Sequence, residues 1–246
     1  MGQLPLLLLP GTLCDATLFG HQVNHLVDVA MPMVIDVHHQ DNLHDVAQYI
    51  LQQVDALGSE RFAVAGLSYG GIVAFELWRQ APHRIAKIAL LNTNPHEAAP
   101  QTKASQQRFV GMAHLGEFRA ITTDFLKDVM LHPDHRKDQE LRQKVLNMAQ
   151  TIGVEGFVNE VKAQLARPSA IPDLQTITCP TLILTGREDQ VVPVVAHEQM
   201  ARLIPHSRLV IVEHCGHLST MEQPEIVTQA LRDWLTEEGL WREKIP

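Results

Sequence analysis

Short apolar runs, alternating with helix-length amphipathic segments, constrain the fold more than any other feature of this sequence. The runs lack the apolar–polar alternation of a sheet with one face in water. Near-continuous apolar strands are typical of parallel sheets that are covered by helices on both faces. The sequence therefore predicts an α/β fold with a doubly wound, mostly parallel sheet of about six strands. These strands are expected at residues 4–9, 33–37, 62–66, 85–91, 181–185 and 209–212.

The alternation stops near residue 94 and resumes only after residue 180. A long helical insertion between two strands of a parallel sheet predicts a cap over the carboxyl edge of that sheet. We therefore divide the chain into a core of residues 1–94 and 173–246 and a helical cap of residues 95–172. The helices of the cap are expected at residues 103–114, 117–130, 138–153 and 155–166.

Residues 62–74 carry the motif with the clearest chemistry. A predicted strand leads into Gly66-Leu67-Ser68-Tyr69-Gly70, and a helical pattern follows. Such a turn holds its serine in a strained backbone conformation with the hydroxyl clear of the chain, and its glycines avoid collisions with the neighbouring strand and helix. Chance placement of the serines and glycines of this chain gives about 0.02 matches. Ser68 is therefore the predicted nucleophile, and the alternative is a glycine-rich turn with a solvated serine.

A nucleophilic serine needs a base, and His217 is the predicted one. His217 lies in the loop after the last predicted strand, from which a side chain can reach Ser68 across the carboxyl edge of the sheet. We choose it over His214 because it follows Gly216, whose conformational freedom lets the loop bend inward.

Asp189 is the predicted acid that orients this base. It lies just past the strand at residues 181–185, and its neighbour Glu188 is the obvious competitor. Taken alone, Asp189 would be an ordinary turn residue. The chain order Ser68, Asp189, His217 is the order expected for nucleophile, acid and histidine on this fold.

Two backbone N–H groups are needed to stabilise the negative charge that develops on an attacked carbonyl. The N–H of Tyr69, directly after the serine, is expected to supply one. The other is expected from the loop after the first strand, where Gly11 permits a tight turn. Thr12 is the predicted donor and Leu13 the alternative, whereas Asp15 is interpreted as the N-cap of a following helix.

These motifs resemble those of the α/β-hydrolase family, and the resemblance covers nearly the whole chain. It rests on the Leu-Pro-Gly-Thr loop, the Gly-Leu-Ser-Tyr-Gly-Gly elbow, Gly-Arg-Glu-Asp before the acid and Gly-His at the base. It implies a triad of Ser68, Asp189 and His217 and a helical cap that selects the substrate. Two features depart from the family pattern: Pro10-Gly11 replaces the usual His-Gly, and the first hairpin of the family's sheet is missing.

The cap and its Ala166-Arg167-Pro168 turn resemble those of enol-lactone and small-ester hydrolases. The predicted function is therefore a serine hydrolase that cleaves a small ester, lactone or thioester through an acyl-enzyme. The alternatives are a non-catalytic small-molecule binding or receptor module on the same fold, and C–C bond hydrolysis or perhydrolysis on the same residues. No cofactor and no metal are expected, since dinucleotide, phosphate-loop and metal motifs are missing from the sequence.

The net charge of −8 disfavours nucleic acids and anionic membrane surfaces as partners and leaves a small-molecule substrate. The odd count of three cysteines argues against a disulfide framework and for a reducing compartment. The apolar run at residues 4–9 is too short for a signal segment or a membrane span. The sequence therefore predicts a cytoplasmic protein.

Charge also suggests how the cap could select its substrate. The cap has a net charge of +1 and the rest of the chain −9. A positive potential above an acidic body could guide a carboxylate-bearing substrate, with Arg108 or Arg167 as the binding residue. The alternative is that these charges lie on solvated helix faces.

Overall fold

The computed structural model describes residues 3–237, and for residues 124–128 the backbone alone. Its strands are β1 (Pro5–Leu9), β2 (Met31–Val34), β3 (Phe62–Leu67), β4 (Ile85–Leu91), β5 (Thr181–Gly186) and β6 (Ser207–Val212). They form one sheet in the order β2-β1-β3-β4-β5-β6, and all neighbouring strands are parallel. The predicted parallel sheet of about six strands is confirmed.

Helices connect these strands. They are α1 (Gly20–His25), α2 (Leu43–Ala56), α3 (Tyr69–Gln80), α4 (Pro100–His114), α5 (Phe118–Ala120), α6 (Lys127–Met130), α7 (Gln139–Leu165), α8 (Ile171–Leu174), α9 (Val194–Leu203), α10 (Ser219–Glu222) and α11 (Pro224–Thr236). Single 3₁₀ turns occur at Ala16–Phe19, Pro82–Arg84 and His135–Lys137, and a π-helical turn at Ile121–Leu126.

The helices cover both faces of the sheet, which makes it doubly wound. Side chains point alternately to the two faces along each strand, so Leu7 and Val64 join one apolar cluster with α2, α3 and α9. Leu8 and Ala65 join a second cluster that contains Trp234 of α11. Because both faces are buried, the strands need apolar residues at nearly every position, as their sequences show.

Strand β2 begins and ends earlier than predicted. The prediction placed it at residues 33–37, whereas the structure pairs Met31–Val34 with β1. Ile35 and Val37 are buried outside the sheet, so their apolar character reflects packing and not strand pairing. Pro32 is tolerated in β2 because this strand lies at the edge of the sheet, where a missing N–H breaks no ladder.

The elements between β4 and β5 are all helical, and we call α4–α8 the helical insertion. Residues of α4 and α7 form a third apolar cluster, which Leu13 of the loop after β1 joins. Gly153 interrupts α7 with a φ of 69° and a ψ of −175°, which agrees with the two predicted helices at residues 138–153 and 155–166. The boundaries of core and cap at residues 95 and 172 remain a prediction.

Each of the three cysteines is unpaired and buried: Cys14, Cys179 and Cys215. Burial raises the pKa of the Cys179 thiol to about 12, and it raises the pKa of the other two thiols further. A thiol with so high a pKa is a poor nucleophile at neutral pH. Across residues 3–237, no helix combines the length and the apolar character needed to cross a membrane.

Candidate active site

Ser68 occupies the sharp turn between β3 and α3. Its φ of 55° and ψ of −111° lie in a region that residues with a side chain rarely adopt. The N–H of Ser68 donates to the carbonyl of Leu91 at 2.9 Å, which holds the turn against the end of β4. The backbone strain is therefore maintained by the sheet, and the side chain stays half-buried at the carboxyl edge.

The glycines around Ser68 are required by space. A Cβ atom on Gly66 would overlap the main chain of Gly70, and a Cβ atom on Gly70 would overlap the carbonyl of Leu9. A Cβ atom on Gly71 would collide with the side chain of Thr93. The steric explanation inferred from the motif is thus confirmed at Gly66 and Gly70, and the collision at Gly71 is an additional finding.

We expect Gly70→Ala to lower the free energy of unfolding by about 3 kcal/mol or more, because α3 and β1 would have to separate. The matched control is Gly111→Ala, since Gly111 lies exposed in α4 and the added methyl group would have no described atom within 4 Å beyond its chain neighbours and its own helix backbone. That control should raise stability by about 0.5–1 kcal/mol. Urea denaturation measures both changes. Equal stabilities for the two variants would contradict the steric explanation.

His217 and Asp189 form a buried pair at the same edge of the sheet. The Nδ1 atom of His217 lies 2.8 Å from Oδ2 of Asp189, and both side chains are almost fully buried. Asn92 donates to the same oxygen at 2.9 Å, and the N–H groups of Val191 and Val192 donate to Oδ1 at 2.8 and 2.9 Å. An ionised carboxylate only accepts, so Nδ1–H is the donor, and the tautomer with its proton at Nδ1 has its lone pair at Nε2.

These donors decide the charge of Asp189. Burial alone would raise the pKa of its carboxyl, but the nearby His217 imidazole and the hydrogen bonds from His217, Asn92 and Val192 lower the pKa below its ordinary value. Asp189 is therefore an anion at neutral pH and can stabilise a positive charge on His217.

The competing acid, Glu188, points elsewhere. Its Oε2 accepts the N–H of Cys215 at 3.0 Å. Glu188 thus supports the main chain of the loop after β6, whereas Asp189 contacts the His217 ring itself. The competing histidine, His214, is exposed.

Two loop glycines have a different role from the one inferred from the sequence. Neither Gly216 nor Gly11 has a positive φ, and the left-handed residues of their loops are His214 at 51° and Leu13 at 59°. A Cβ atom on Gly11 would lie 3.3 Å from Cβ of Ser68, so this glycine lets the loop approach the serine. Gly216 in the same way lets its loop approach the main chain of the helical insertion.

Ser68 and His217 follow different strands, β3 and β6, at the same edge. Among the residues that the structure describes, no hydrogen bond joins the Ser68 hydroxyl to the His217 ring. Hydrogen bonds of this kind are often long in a ligand-free enzyme and shorten when substrate binds.

Two backbone N–H groups beside Ser68, those of Thr12 and Tyr69, are uncommitted: they donate no hydrogen bond within residues 3–237. Tyr69 is the first residue of α3, so its N–H has no partner inside the helix. The alternative donor, Leu13, gives its N–H to Oε2 of Glu160 at 2.9 Å. The side chain of Thr12 accepts from Gln164 at 2.8 Å. This arrangement favours Thr12 over Leu13 as the second donor to a bound oxyanion.

Asn92 is a site residue that the sequence analysis missed. It is buried and left-handed, with a φ of 47°. Besides Asp189, its amide donates to the carbonyl of Gly216 at 3.2 Å, and its Oδ1 accepts from Ser219 at 2.6 Å. Asn92 therefore joins the loops after β4, β5 and β6. Its position directly after β4, at the carboxyl edge, is a signal that could have identified it.

Thr93 and His197 support the serine turn from behind. The hydroxyl of Thr93 donates to the carbonyl of Ser68 at 2.7 Å, and its N–H donates to Nε2 of His197 at 3.1 Å. Burial lowers the pKa of His197 to about 4, so its ring stays neutral and accepts this hydrogen bond.

Glu222 was also missed, and it organises the loop that carries His217. Its buried carboxylate accepts the N–H groups of Gly216 at 3.1 Å and Leu218 at 3.2 Å. It also accepts the N–H of His132 at 2.7 Å and lies 2.9 Å from Nδ1 of His135. The sequence contains no signal for the contacts to His132 and His135, which lie 90 and 87 residues from Glu222 in the chain.

A narrow pocket with about 10 Å³ of free space begins at the loop after β1. It is almost entirely apolar, and its walls are Thr12, Leu13, Cys14, Thr122, Met130, Val145 and Ala149. The helical insertion supplies the last four of these side chains, so it shapes the space next to the uncommitted N–H of Thr12.

The two predicted carboxylate-binding arginines do not line this cavity. Arg108 is exposed on α4. The guanidinium of Arg167 donates to the carbonyls of His96 and Gln164, both at 2.9 Å, and burial lowers its pKa. Arg167 thus links the chain after β4 to the end of α7, and a role in substrate binding remains a prediction for both residues.

Two groups of side chains have the ligand types of a metal site. One contains Asp36, His38 and His39, and the other contains His132, Asp134 and His214. Asp36 already pairs with both of its histidines, and Nδ1 of His132 accepts the N–H of Asp134 at 3.2 Å. Neither group includes Ser68, Asp189 or His217. A site without a metal therefore remains the prediction.

Comparison with known proteins identifies the family. The family model for the alpha/beta hydrolase fold matches residues 36–224. The 3-oxoadipate enol-lactonase 1 of Acinetobacter baylyi is 27% identical over 193 residues, which are 77% of this chain and 70% of the relative. The 2-hydroxy-6-oxononadienedioate/2-hydroxy-6-oxononatrienedioate hydrolase 2 of Pseudomonas putida is 31% identical over 191 residues, which are 74% of this chain and 65% of the relative.

A solved structure agrees with these relatives. The thermophilic esterase from Thermogutta terrifontis, with malate bound, superposes with a TM-score of 0.87 and 29% identity, over 94% of this chain and 89% of that chain. The similarity to esterases and enol-lactone hydrolases expected from the sequence is thus confirmed, and an enzyme is favoured over a receptor module. The chain belongs to the α/β-hydrolase fold family and is a hydrolase.

Proposed function

We propose that this enzyme hydrolyses a small carboxylic ester, lactone or thioester through an acyl-enzyme on Ser68. The observation that carries the proposal is the buried hydrogen bond between His217 and Asp189, at the sheet edge where Ser68 stands in a strained turn. A neutral histidine held by an ionised acid is the base that a serine nucleophile requires.

In the proposed reaction, Ser68 Oγ attacks the carbonyl carbon while Nε2 of His217 takes the hydroxyl proton. Asp189 stabilises the imidazolium that forms. The C–O or C–S bond to the leaving group then breaks, and His217 returns the proton to that group. Water attacks the acyl-enzyme by the same route, with His217 again as the base, and releases the acid and free Ser68.

The N–H groups of Thr12 and Tyr69 are proposed to bind the oxyanion of each tetrahedral intermediate. Their lack of other partners and the closeness of Gly11 to Ser68 support this assignment. Donors that are already oriented need no rearrangement at the moment of reaction, which is why such sites account for much of a hydrolase's rate.

The cavity beside Thr12 suggests the substrate class. Its apolar walls suit a hydrocarbon acyl group and offer few partners to a charged one, and its narrow space favours a short group. The esterase and the enol-lactonase among the similar proteins support an ester or a lactone.

We expect purified enzyme to show a kcat/KM at least about tenfold higher for p-nitrophenyl butyrate than for p-nitrophenyl dodecanoate, because the narrow pocket must open much further for the long chain. A fluorophosphonate should label Ser68 with one equivalent and abolish turnover. Mass spectrometry and initial rates measure these two results. Labelling without turnover of any ester, lactone or thioester would contradict the proposal.

The same assay tests the predicted arginine contacts. An acidic ester is compared with its neutral isostere in wild type, Arg108→Met and Arg167→Met. A preference for the acidic ester that either variant removes would support a carboxylate contact. An unchanged preference for the neutral ester would leave the apolar cavity as the determinant of specificity.

A second candidate reaction is C–C bond hydrolysis of an oxo-dienedioate, which the 31% identical Pseudomonas putida relative supports. Such a substrate carries two carboxylates and fits an apolar cavity less well. A higher kcat/KM for an oxo-dienedioate than for each of the esters named above would favour this second candidate.

A further inference from the structure

Glu160 is a fully buried carboxyl group beside the loop after β1. It lies on α7 in the helical insertion, with 0% of its surface exposed. Its Oε2 accepts the N–H of Leu13 at 2.9 Å, and its Oε1 has no hydrogen-bond partner among the described residues. Burying a polar group without full hydrogen bonding is costly, so such a group calls for an explanation.

The surroundings of Glu160 favour its neutral form. Asp36 after β2 raises the pKa of Glu160. Glu160 in turn raises the pKa of Cys14, in the loop after β1, and of Tyr69 on α3. None of these three groups is cationic. The nearby lysine of α7, Lys162, is exposed and pairs with Asp41. Burial raises the pKa of Glu160 to about 8, opposed by the hydrogen bond from Leu13 and helped by Asp36. Glu160 therefore carries its proton at neutral pH.

The position of Glu160 connects α7 to the loop beside the nucleophile. Leu13, which it binds, is the left-handed residue of that loop. Gln164, one helical turn further along α7, donates to the hydroxyl of Thr12 at 2.8 Å. One face of α7 thus holds two consecutive loop residues, and Gly11 before them packs against Ser68.

We propose that Glu160 is a positioning residue, whose carboxyl holds the N–H of Leu13 and thereby directs the N–H of Thr12 toward the carbonyl that Ser68 attacks. The inference rests on the proposed function, because it concerns the oxyanion site of that reaction. The neutral carboxyl accepts the hydrogen bond without adding charge. Its ionisation places a negative charge near the developing oxyanion and disfavours the transition state.

The test compares Glu160→Gln, which keeps an acceptor but cannot ionise, with Glu160→Leu, which has neither property. Glu155→Gln is the matched control, since Glu155 is exposed on the same helix. The kcat and KM values are measured from pH 6 to 9.5 for the p-nitrophenyl ester that wild type hydrolyses with the higher kcat/KM. The melting temperature of each variant is measured as well. We expect Glu160→Leu to lower kcat by roughly 10²-fold, as the loss of one oxyanion donor does, with KM changed less than about threefold.

Glu160→Gln should keep kcat within about threefold of wild type at pH 7. In wild type and in Glu155→Gln, kcat/KM should fall by about tenfold above pH 8, as the carboxyl ionises. That fall should be missing in Glu160→Gln. A melting temperature near that of wild type for Glu160→Leu, with its kcat still low, would separate positioning from a merely structural role.

Three results would overturn the inference: wild-type kcat in Glu160→Leu, a wild-type profile that stays flat to pH 9.5, or the same alkaline fall in wild type and Glu160→Gln. If Glu160→Leu does not fold, the pH profile of Glu160→Gln decides.

Ser68→Ala distinguishes failure of the Glu160 inference from failure of the proposed function. An inactive Ser68→Ala beside unaffected Glu160 variants refutes only the role of Glu160, whereas an active Ser68→Ala refutes the function itself.

Discussion

Ser68→Ala is expected to lower kcat by about 10⁶-fold, the cost of losing the nucleophile of a serine hydrolase triad. The loss follows because no acyl-enzyme can form, although His217 and Asp189 keep their hydrogen bond. The substitution removes one oxygen, so the turn between β3 and α3 should fold as before. Ester turnover and fluorophosphonate labelling measure the loss, and circular dichroism reports the fold.

Ser105→Ala is the matched control, because Ser105 is exposed on α4. It should label and turn over ester as wild type does. Near-normal turnover by carefully purified Ser68→Ala would contradict the assignment of the nucleophile.

Asp189→Asn is expected to lower kcat by about 10⁴-fold, with a smaller change in KM. The amide nitrogen of Asn cannot accept the hydrogen bond from Nδ1–H of His217, so the ring would adopt the tautomer that protonates Nε2. Nε2 could then not take the proton of Ser68. Steady-state kinetics measure the fall, and the imidazole N–H resonances in proton NMR report the tautomer.

Glu188→Gln is the control for Asp189→Asn, because Glu188 is the adjacent acid. Its side chain would still accept the N–H of Cys215, so we expect a loss of less than about tenfold. Similar losses in the two variants would mean that the loop needs acidic residues for its structure and that Asp189 has no special role.

Much of the fold could be predicted because it depends on local patterns. Apolar runs identified the six strands, since a strand buried on both faces needs apolar residues at nearly every position. The turn around Ser68 was also predictable from a local pattern. Gly66 and Gly70 occupy positions where any Cβ atom would overlap neighbouring main chain, so only glycine fits there. The error at β2 shows where this argument fails, since Ile35 and Val37 are buried outside the sheet.

The candidate site was predictable in its acid and histidine, and much less in its supports. Asp189 and His217 follow two different strands, and parallel strands bring their carboxyl ends to one edge, so their contact follows from topology. Asn92 follows β4 at that edge and was overlooked, although its contact to Asp189 follows from the same topology.

By itself, the sequence determined the parallel sheet and the serine turn, because these depend on steric and periodic rules that act over a few residues. Only the tertiary structure decided which N–H of the loop after β1 stays uncommitted. That choice depends on Glu160, which is 147 residues from Leu13 in the chain. The contact of Glu222 with His132 in the helical insertion likewise spans 90 residues. Neither contact leaves a local pattern, because a buried carboxyl finds its partners only after the helices have packed against the sheet edge.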